Sequence, residues 1–521
     1  MIALTDRQKI GQRLAAGFPG TKMSDAFVRL VKEHKIGNVI LFKENVAGMA
    51  QLMRLCGNIQ NLVFSETGHP AFIAIDQEGG PVSRLPADAT IFPSAMAIAA
   101  TGKTHNAYDA GVITGRELAA LGVNFNLAPV MDINSNPQNP VIGVRSYGDT
   151  PDTAGAYGTQ TIRGLLDAGI LCAAKHFPGH GDTAADSHVG LPCVDKSLQE
   201  LLACELKSFK DAIAAGVPAV MTSHILFPQL EKEKVPATMS RRIVTGLLKE
   251  KLGFSGLVLS DCMMMNAVAG HYGTVAGSLM AAQAGVDLIF ISHSVQLAGE
   301  TAGAMLRALG EGRLDAGEME SSVEKILQYK QNLQSPNVPP REAVGCEAHR
   351  EAAARMMAEA VTEVNVPPSG RPPLGSAPLF LGCLPFRLNN AMNPEDSLIH
   401  FSGFMAHALG GEWRLTSADP DDSEIGEVAA EARGHTCLVL GTQNGHLRKG
   451  QLHMAQALAQ TGIPVICIAL LNPYDLAGLP ENIYSLAVYS YDLLSLRAVA
   501  GVLSGRGKAP GRLPVKLRRE M

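Results

Sequence analysis

Eight short apolar runs recur through the first 335 residues, each separated from the next by a longer amphipathic stretch. They lie at residues 14–18, 38–42, 72–76, 123–129, 170–177, 219–224, 256–261 and 287–292. No other feature constrains the fold as tightly. A stretch apolar at every position, such as 170–174, is what a strand covered on both faces requires. Strands that alternate with helical stretches form parallel βαβ units, because a parallel return needs a crossover of a dozen or more residues. Eight such units predict a TIM (β/α)8-type barrel over residues 1–335. An open doubly wound sheet is the competing arrangement, and eight regular units favour closure.

The chain has 521 residues, too many for one hydrophobic core, so a second domain is expected. Residues 336–375 read as a linker, with Pro and Gly dense in SPNVPPRE and VPPSGRPPLGSAP and a helix between them at 346–361. From 376 to 521 the alternation resumes, with strands at 379–384, 437–441, 463–470 and 484–489 and helices at 452–460 and 493–503. This predicts a smaller three-layer α/β sandwich. No glycine-rich phosphate loop follows any of its strands, so it receives no nucleotide role.

Composition excludes several classes of function. The net charge of -5 provides no basic field for nucleic acid or anionic lipid. No apolar stretch approaches the roughly 20 residues of a membrane span. The nine cysteines are scattered, without a CxxC pair, and read as reduced thiols of a cytoplasmic protein. The opening MIALTDRQKIGQRL has no apolar core of a signal peptide, and its Thr5 and Gln8 form a capping-box pattern. The run Met263 to Met265 reads as core packing.

In a barrel the chemistry sits at the C-terminal strand ends. There the sequence places Asp76 and Arg84, then Asp132 and Arg145, Lys175 and His176, His224, and Asp261. The fifth strand opens into KHFPGHGDTAADSHVGLP, residues 175–192. Pro178, Gly179, Gly181 and Gly190 break any regular element there, among three His, two Asp and a Lys. Taken singly, a strand-end Asp is often a helix cap, an Arg a surface ion pair, and His224 a structural histidine. Their convergence on one rim is what points to catalysis.

Retaining glycoside hydrolysis fits this set. It needs a nucleophile at the anomeric carbon and a proton donor at the leaving oxygen. Asp261 suits the first role. His188, oriented by Asp186 in the DSH string, suits the second. Asp76, Arg84, Arg145, Lys175 and His176 offer donors and acceptors for sugar hydroxyls. His180 and Asp182 read as braces of the loop. A metal site drawing on His176, His180, Asp182, Asp186 and His188 is the rival, but Pro178 and Gly179 interrupt the His-x3-His spacing. No metal or cofactor is therefore assigned. A non-catalytic sugar-binding protein is a third class, which the intact Asp261 and Asp186–His188 set argues against.

At these residues the chain resembles glycoside hydrolase family 3, in its β-N-acetylglucosaminidase branch. The resemblance runs from KIGQRLAAGFPG and IGNVILF through DQEGG and NPVIGVRSYG to KHFPGHGDTAADSH and the Ser260–Asp261 pair. The second domain, ending in GRLPVKL, resembles the sandwich of two-domain members. The resemblance implies Asp261 as nucleophile, His188 with Asp186 as acid/base, and Asp76, Arg84, Arg145, Lys175 and His176 as sugar contacts in the −1 subsite. It implies an exo-acting enzyme that releases terminal N-acetylglucosamine from cell-wall or chitin-derived glycosides, as in peptidoglycan recycling, with a small carbohydrate as its partner. A phosphorylase of the same family is the alternative, since a neutral His repels phosphate less than a carboxylate does. Pro81 and Cys262 depart from the family pattern, which often has Arg and Asp at those positions. The oligomeric state is not read from the sequence.

Overall fold

The computed structural model describes residues 4–183, 191–334, 338–389, 391–392 and 399–517. Eight parallel strands close into a barrel in sequence order: β1 (Leu14–Ala16), β2 (Asn38–Leu41), β3 (Phe72–Ile75), β4 (Phe125–Asn126), β5 (Leu171–Phe177), β6 (Ala219–Thr222), β7 (Leu257–Cys262) and β8 (Leu288–Ile291). Closure is direct, with Leu14, Ala15 and Ala16 opposite Ile289, Phe290 and Ile291. The barrel expected from the eight apolar runs is the one observed.

Its interior is packed. Ile40, Phe72, Phe125, Met221, Leu257 and Phe290 fill the lumen, with the rings of Phe72 and Phe125 5.5 Å apart. Lys330 lies beneath them, its Nζ 5.1 Å from the centre of the Phe72 ring. It donates to Gln12 Oε1 at 2.6 Å and Gly37 O at 2.9 Å, residues that precede β1 and β2. These bonds plug the lumen beneath Phe72 at its N-terminal end.

The fourth apolar run yields a shorter strand than the sequence suggests. Regular pairing covers only Phe125 and Asn126, and beyond them single backbone bonds continue, Leu127 N to Ile75 O at 2.8 Å and Lys175 N to Pro129 O at 3.2 Å. Asparagine side chains add further bonds between the β3 and β4 segments. Asn126 accepts from Gln77 N at 3.0 Å and donates to Gln77 O at 2.9 Å. Asn124 accepts from Ile73 N and donates to Ala71 O. Asn124 thus ties β3 and β4 at their N-terminal ends, and Asn126 ties them where Asp76 and Glu78 leave the barrel.

The second sheet has six strands in the order β11-β10-β12-β13-β14-β9. Four were expected: β10 (Pro378–Cys383), β12 (Cys437–Thr442), β13 (Val465–Ala469) and β14 (Tyr484–Ala487). Two were not. Strand β9 (Thr362–Asn365), within the stretch read as linker, pairs antiparallel with β14, and β11 (Glu412–Thr416) pairs with β10. Both are edge strands with solvent on one side, so they carry Glu and Arg instead of a continuous apolar run.

Met96, Ala97 and Ala100 of the barrel unit share an apolar cluster with Met357, Leu379 and Tyr489, so the two units pack as continuous core. Ser94 Oγ donates to Tyr489 O and Asn134 Nδ2 to Tyr474 Oη across this contact. Among the described residues, no helix is long and apolar enough to cross a membrane.

Candidate active site

A cavity of about 460 Å³ opens at the C-terminal rim. Asp76, Arg84, Arg145, Lys175, His176 and Asp261 all line it. Six of the eight residues singled out from the sequence therefore meet in one cavity. The other two, Asp186 and His188, lie outside the described residues.

The polar wall is organised by a carboxylate that received no role from the sequence. Glu78 is buried between Arg145 and Lys175. Arg145 grips it with two parallel bonds, Nε and Nη2 each at 2.8 Å, and Lys175 Nζ lies 2.6 Å away. Lys175 also reaches Asp76 Oδ1 at 2.7 Å. Burial opposes ionisation of Glu78, yet Arg145 and Lys175 together hold its carboxyl far below the usual range. Burial likewise opposes charge on Lys175, and Asp76 and Glu78 overcome it and raise its pKa. Arg145 follows the same logic, with burial outweighed chiefly by Glu78. The four charges form one network that fixes the two cationic heads against a rigid wall.

Lys175 and His176 end β5, and both side chains line the cavity although they are adjacent; the peptide bond between them is cis. Beneath His176 lies Asp132, fully buried and also without an assigned role. It accepts from His176 N at 3.1 Å, from His180 N at 2.7 Å, and pairs with His176 Nδ1 at 2.7 Å. Burial would raise the Asp132 pKa, but His176 and His180 hold it down. An ionised Asp132 requires a proton on His176 Nδ1, which turns Nε2 toward the cavity. His180 is different. Burial and the neighbouring His176 lower its pKa to about 4, so it is neutral at pH 7. Its Nδ1 lies 2.9 Å from Thr183 Oγ1, and Asn139 Nδ2 donates to its carbonyl.

Asp261 is the penultimate residue of β7, half-buried. The Cys262 N–H donates to its Oδ1 at 2.7 Å. Burial alone would raise its pKa, but His176, His224, that N–H and Lys175 together bring it below the ordinary value. His224 has both nitrogens engaged, with Nδ1 3.0 Å from Thr238 Oγ1 and Nε2 3.0 Å from Cys262 O. It steadies the turn that carries Asp261. Burial pushes the Cys262 thiol upward, so it stays protonated at neutral pH.

The opposite wall is apolar. The Phe42 and His293 rings lie 4.4 Å apart, beside Met264, Met265 and Ala269. The methionine run is thus only partly core: Met263 is buried, while the next two face the cavity. At the stem of the loop after β5, Lys196 bridges Asp182 Oδ2 at 2.7 Å and the buried Glu205 Oε1 at 2.5 Å. Among the described residues, no group of three or more His, Cys, Asp or Glu side chains is arranged to hold a metal ion.

The family described as the glycosyl hydrolase family 3 N terminal domain matches residues 5–329. β-Hexosaminidase A of Pseudoalteromonas piscicida is 34% identical over 405 residues, covering 70% of this chain and 68% of that protein. The structure of a glycoside hydrolase family 3 β-N-acetylglucosaminidase from Paenibacillus sp. str. FPU-7 is similar over 100% of both chains, with a TM-score of 0.91 and 35% identity. A β-glucoside phosphorylase shares the fold at a TM-score of 0.84, covering 99% of this chain and 95% of its own, at 21% identity.

Proposed function

The chain belongs to glycoside hydrolase family 3 and is a glycoside hydrolase, and we propose that it is a retaining exo-β-N-acetylglucosaminidase acting on cell-wall or chitin-derived glycosides. The observation that carries the reading is Asp261, a half-buried carboxylate held below its ordinary pKa at the rim of the cavity. A carboxylate already ionised at neutral pH can attack an anomeric carbon without first losing a proton.

The cavity suits a neutral sugar. Its lining carries three acids, Asp76, Glu78 and Asp261, against three permanent cations, Arg84, Arg145 and Lys175. These balance, so an uncharged ligand meets dense hydrogen bonding without a net field. Asp76, Arg84, Arg145, Lys175 and His176 take the sugar hydroxyls, and the wall of Phe42, His293, Met264 and Met265 receives apolar parts of the substrate.

In the first step Asp261 forms an ester bond to the anomeric carbon while the glycosidic C–O bond breaks. His188, oriented by Asp186, gives its proton to the leaving oxygen. In the second step His188 takes a proton from water, the hydroxide adds to the anomeric carbon, and Asp261 leaves as a carboxylate. The two inversions give net retention. The reading includes a cytoplasmic location, supported by nine cysteines that are all free thiols.

A screen of aryl glycosides tests this. The N-acetylglucosaminide should be cleaved in preference to the glucoside by at least about tenfold, yielding free sugar with or without phosphate. A sugar 1-phosphate as the main product in phosphate buffer would make the chain a phosphorylase instead. Preference for the glucoside would remove the substrate assignment.

A further inference from the structure

The second domain reaches the cavity through Ala391, a residue that no catalytic role accounts for. Ala391 lines the cavity, and its carbonyl accepts from Arg84 Nη2 at 2.6 Å. Arg84 is almost fully buried and is held from two directions. Its backbone N–H is fixed by the barrel, through Gln77 Oε1 at 2.9 Å. Its guanidinium is held by the second domain. The charged head that faces the sugar cavity is therefore set partly by how the other domain sits.

Asn389 sets that contact. It too is buried, and both ends of its carboxamide are used. Oδ1 accepts from Ala391 N at 3.0 Å and Met392 N at 3.3 Å, which turns the Ala391 carbonyl toward the barrel. Nδ2 donates across the domain boundary to Pro140 O at 2.9 Å. The next carbonyl, Val141 O, accepts from Arg145 Nη1 at 3.2 Å. One amide thus joins the second-domain turn that holds Arg84 to the barrel loop that holds Arg145.

We propose that Asn389 is a positioning residue that seats the Ala391 carbonyl on Arg84, so that the arginine wall of the sugar cavity is assembled by both domains. The inference rests on the glycosidase reading above, and it gives the second domain a part in substrate binding. Its reach is through a backbone carbonyl, so it adds no acid or base to the chemistry.

The test is a double-mutant cycle in the full chain, with Arg84→Met, Asn389→Ala and the pair together. Asn389→Ala should raise KM roughly tenfold, the effect of one misaligned charge-assisted hydrogen bond, with kcat within about twofold of wild type. Combining it with Arg84→Met should add nothing further to the loss from Arg84→Met alone, because both act through one guanidinium. Lys103→Met removes a surface pair between the barrel and Glu359 of the linker helix and serves as control, with KM unchanged. Asn389→Asp keeps the acceptor for the turn and loses the donor to Pro140. If Asn389→Ala does not fold, its KM carries the same prediction. Independent, multiplying losses in the cycle, or an unchanged KM in a folded Asn389 variant, would overturn the proposal. Should wild type not cleave the N-acetylglucosaminide, the substrate reading fails separately, and the cycle is read on whichever aryl glycoside it does cleave.

Discussion

Asp132 makes the sharpest prediction, because one buried carboxylate fixes both the position and the tautomer of His176. Asp132→Asn preserves shape and keeps one oxygen, Oδ1, for the backbone N–H groups of His176 at 3.2 Å and His180 at 2.7 Å. It replaces the oxygen facing His176 Nδ1, now 2.7 Å away, with an NH2 group. The Nδ1 proton then has no acceptor, so the ring loses the contact that sets its orientation in the cavity. The variant loses a hydrogen bond to a charged group, about 1.5–3 kcal/mol. If that bond is fully expressed at the transition state, kcat/KM falls by about one to two decades. The assay is kcat/KM on an aryl N-acetylglucosaminide beside a melting curve, which separates loss of positioning from loss of fold. A folded Asp132→Asn enzyme within about twofold of wild type would refute the argument that Asp132 governs His176.

Four further outcomes are expected. Asp261→Asn should leave the fold intact and reduce turnover to below a few per cent of wild type, measured on an activated aryl glycoside, since its backbone N–H contact survives without the nucleophile. His188→Ala should slow substrates with poor leaving groups far more than activated ones; equal losses on both would remove its acid role. Because Asp261 is held below its ordinary value, wild-type activity should persist on the acid side to below about pH 4, the usual Asp range. Cys262→Asp adds a like charge next to it, raises the Asp261 pKa and shifts that acid limb upward; an unchanged pH–rate profile would show that position 262 does not tune the nucleophile.

What was legible in the sequence follows from how each feature is encoded. The barrel strands are buried on both faces and so read as unbroken apolar runs. The edge strands β9 and β11 alternate with charged residues and did not. Asp76, Lys175, His176 and Asp261 were legible because each sits where a strand meets a polar loop, while Arg84 and Arg145 lie further along their loops and were legible only as charges in QEGGPVSR and NPVIGVRSYG. Glu78 lay inside the DQEGG string, two residues beyond Asp76, and its signal was an acid that needs partners once buried. Asp132 was visible at its strand end, but its role depends on His176 and His180, more than 40 residues away. The contact of Ala391 with Arg84 was not legible at all, since a backbone carbonyl leaves no mark on residue type.

The central claim is that Asp261 becomes covalently glycosylated. A slowly released, fluorinated N-acetylglucosaminyl donor should trap that ester, and peptide mapping by mass spectrometry should find the sugar on the fragment containing Asp261, with no label in Asp261→Asn. Label on another carboxylate such as Asp76, or turnover that gives the inverted anomer without a trapped adduct, would contradict the account.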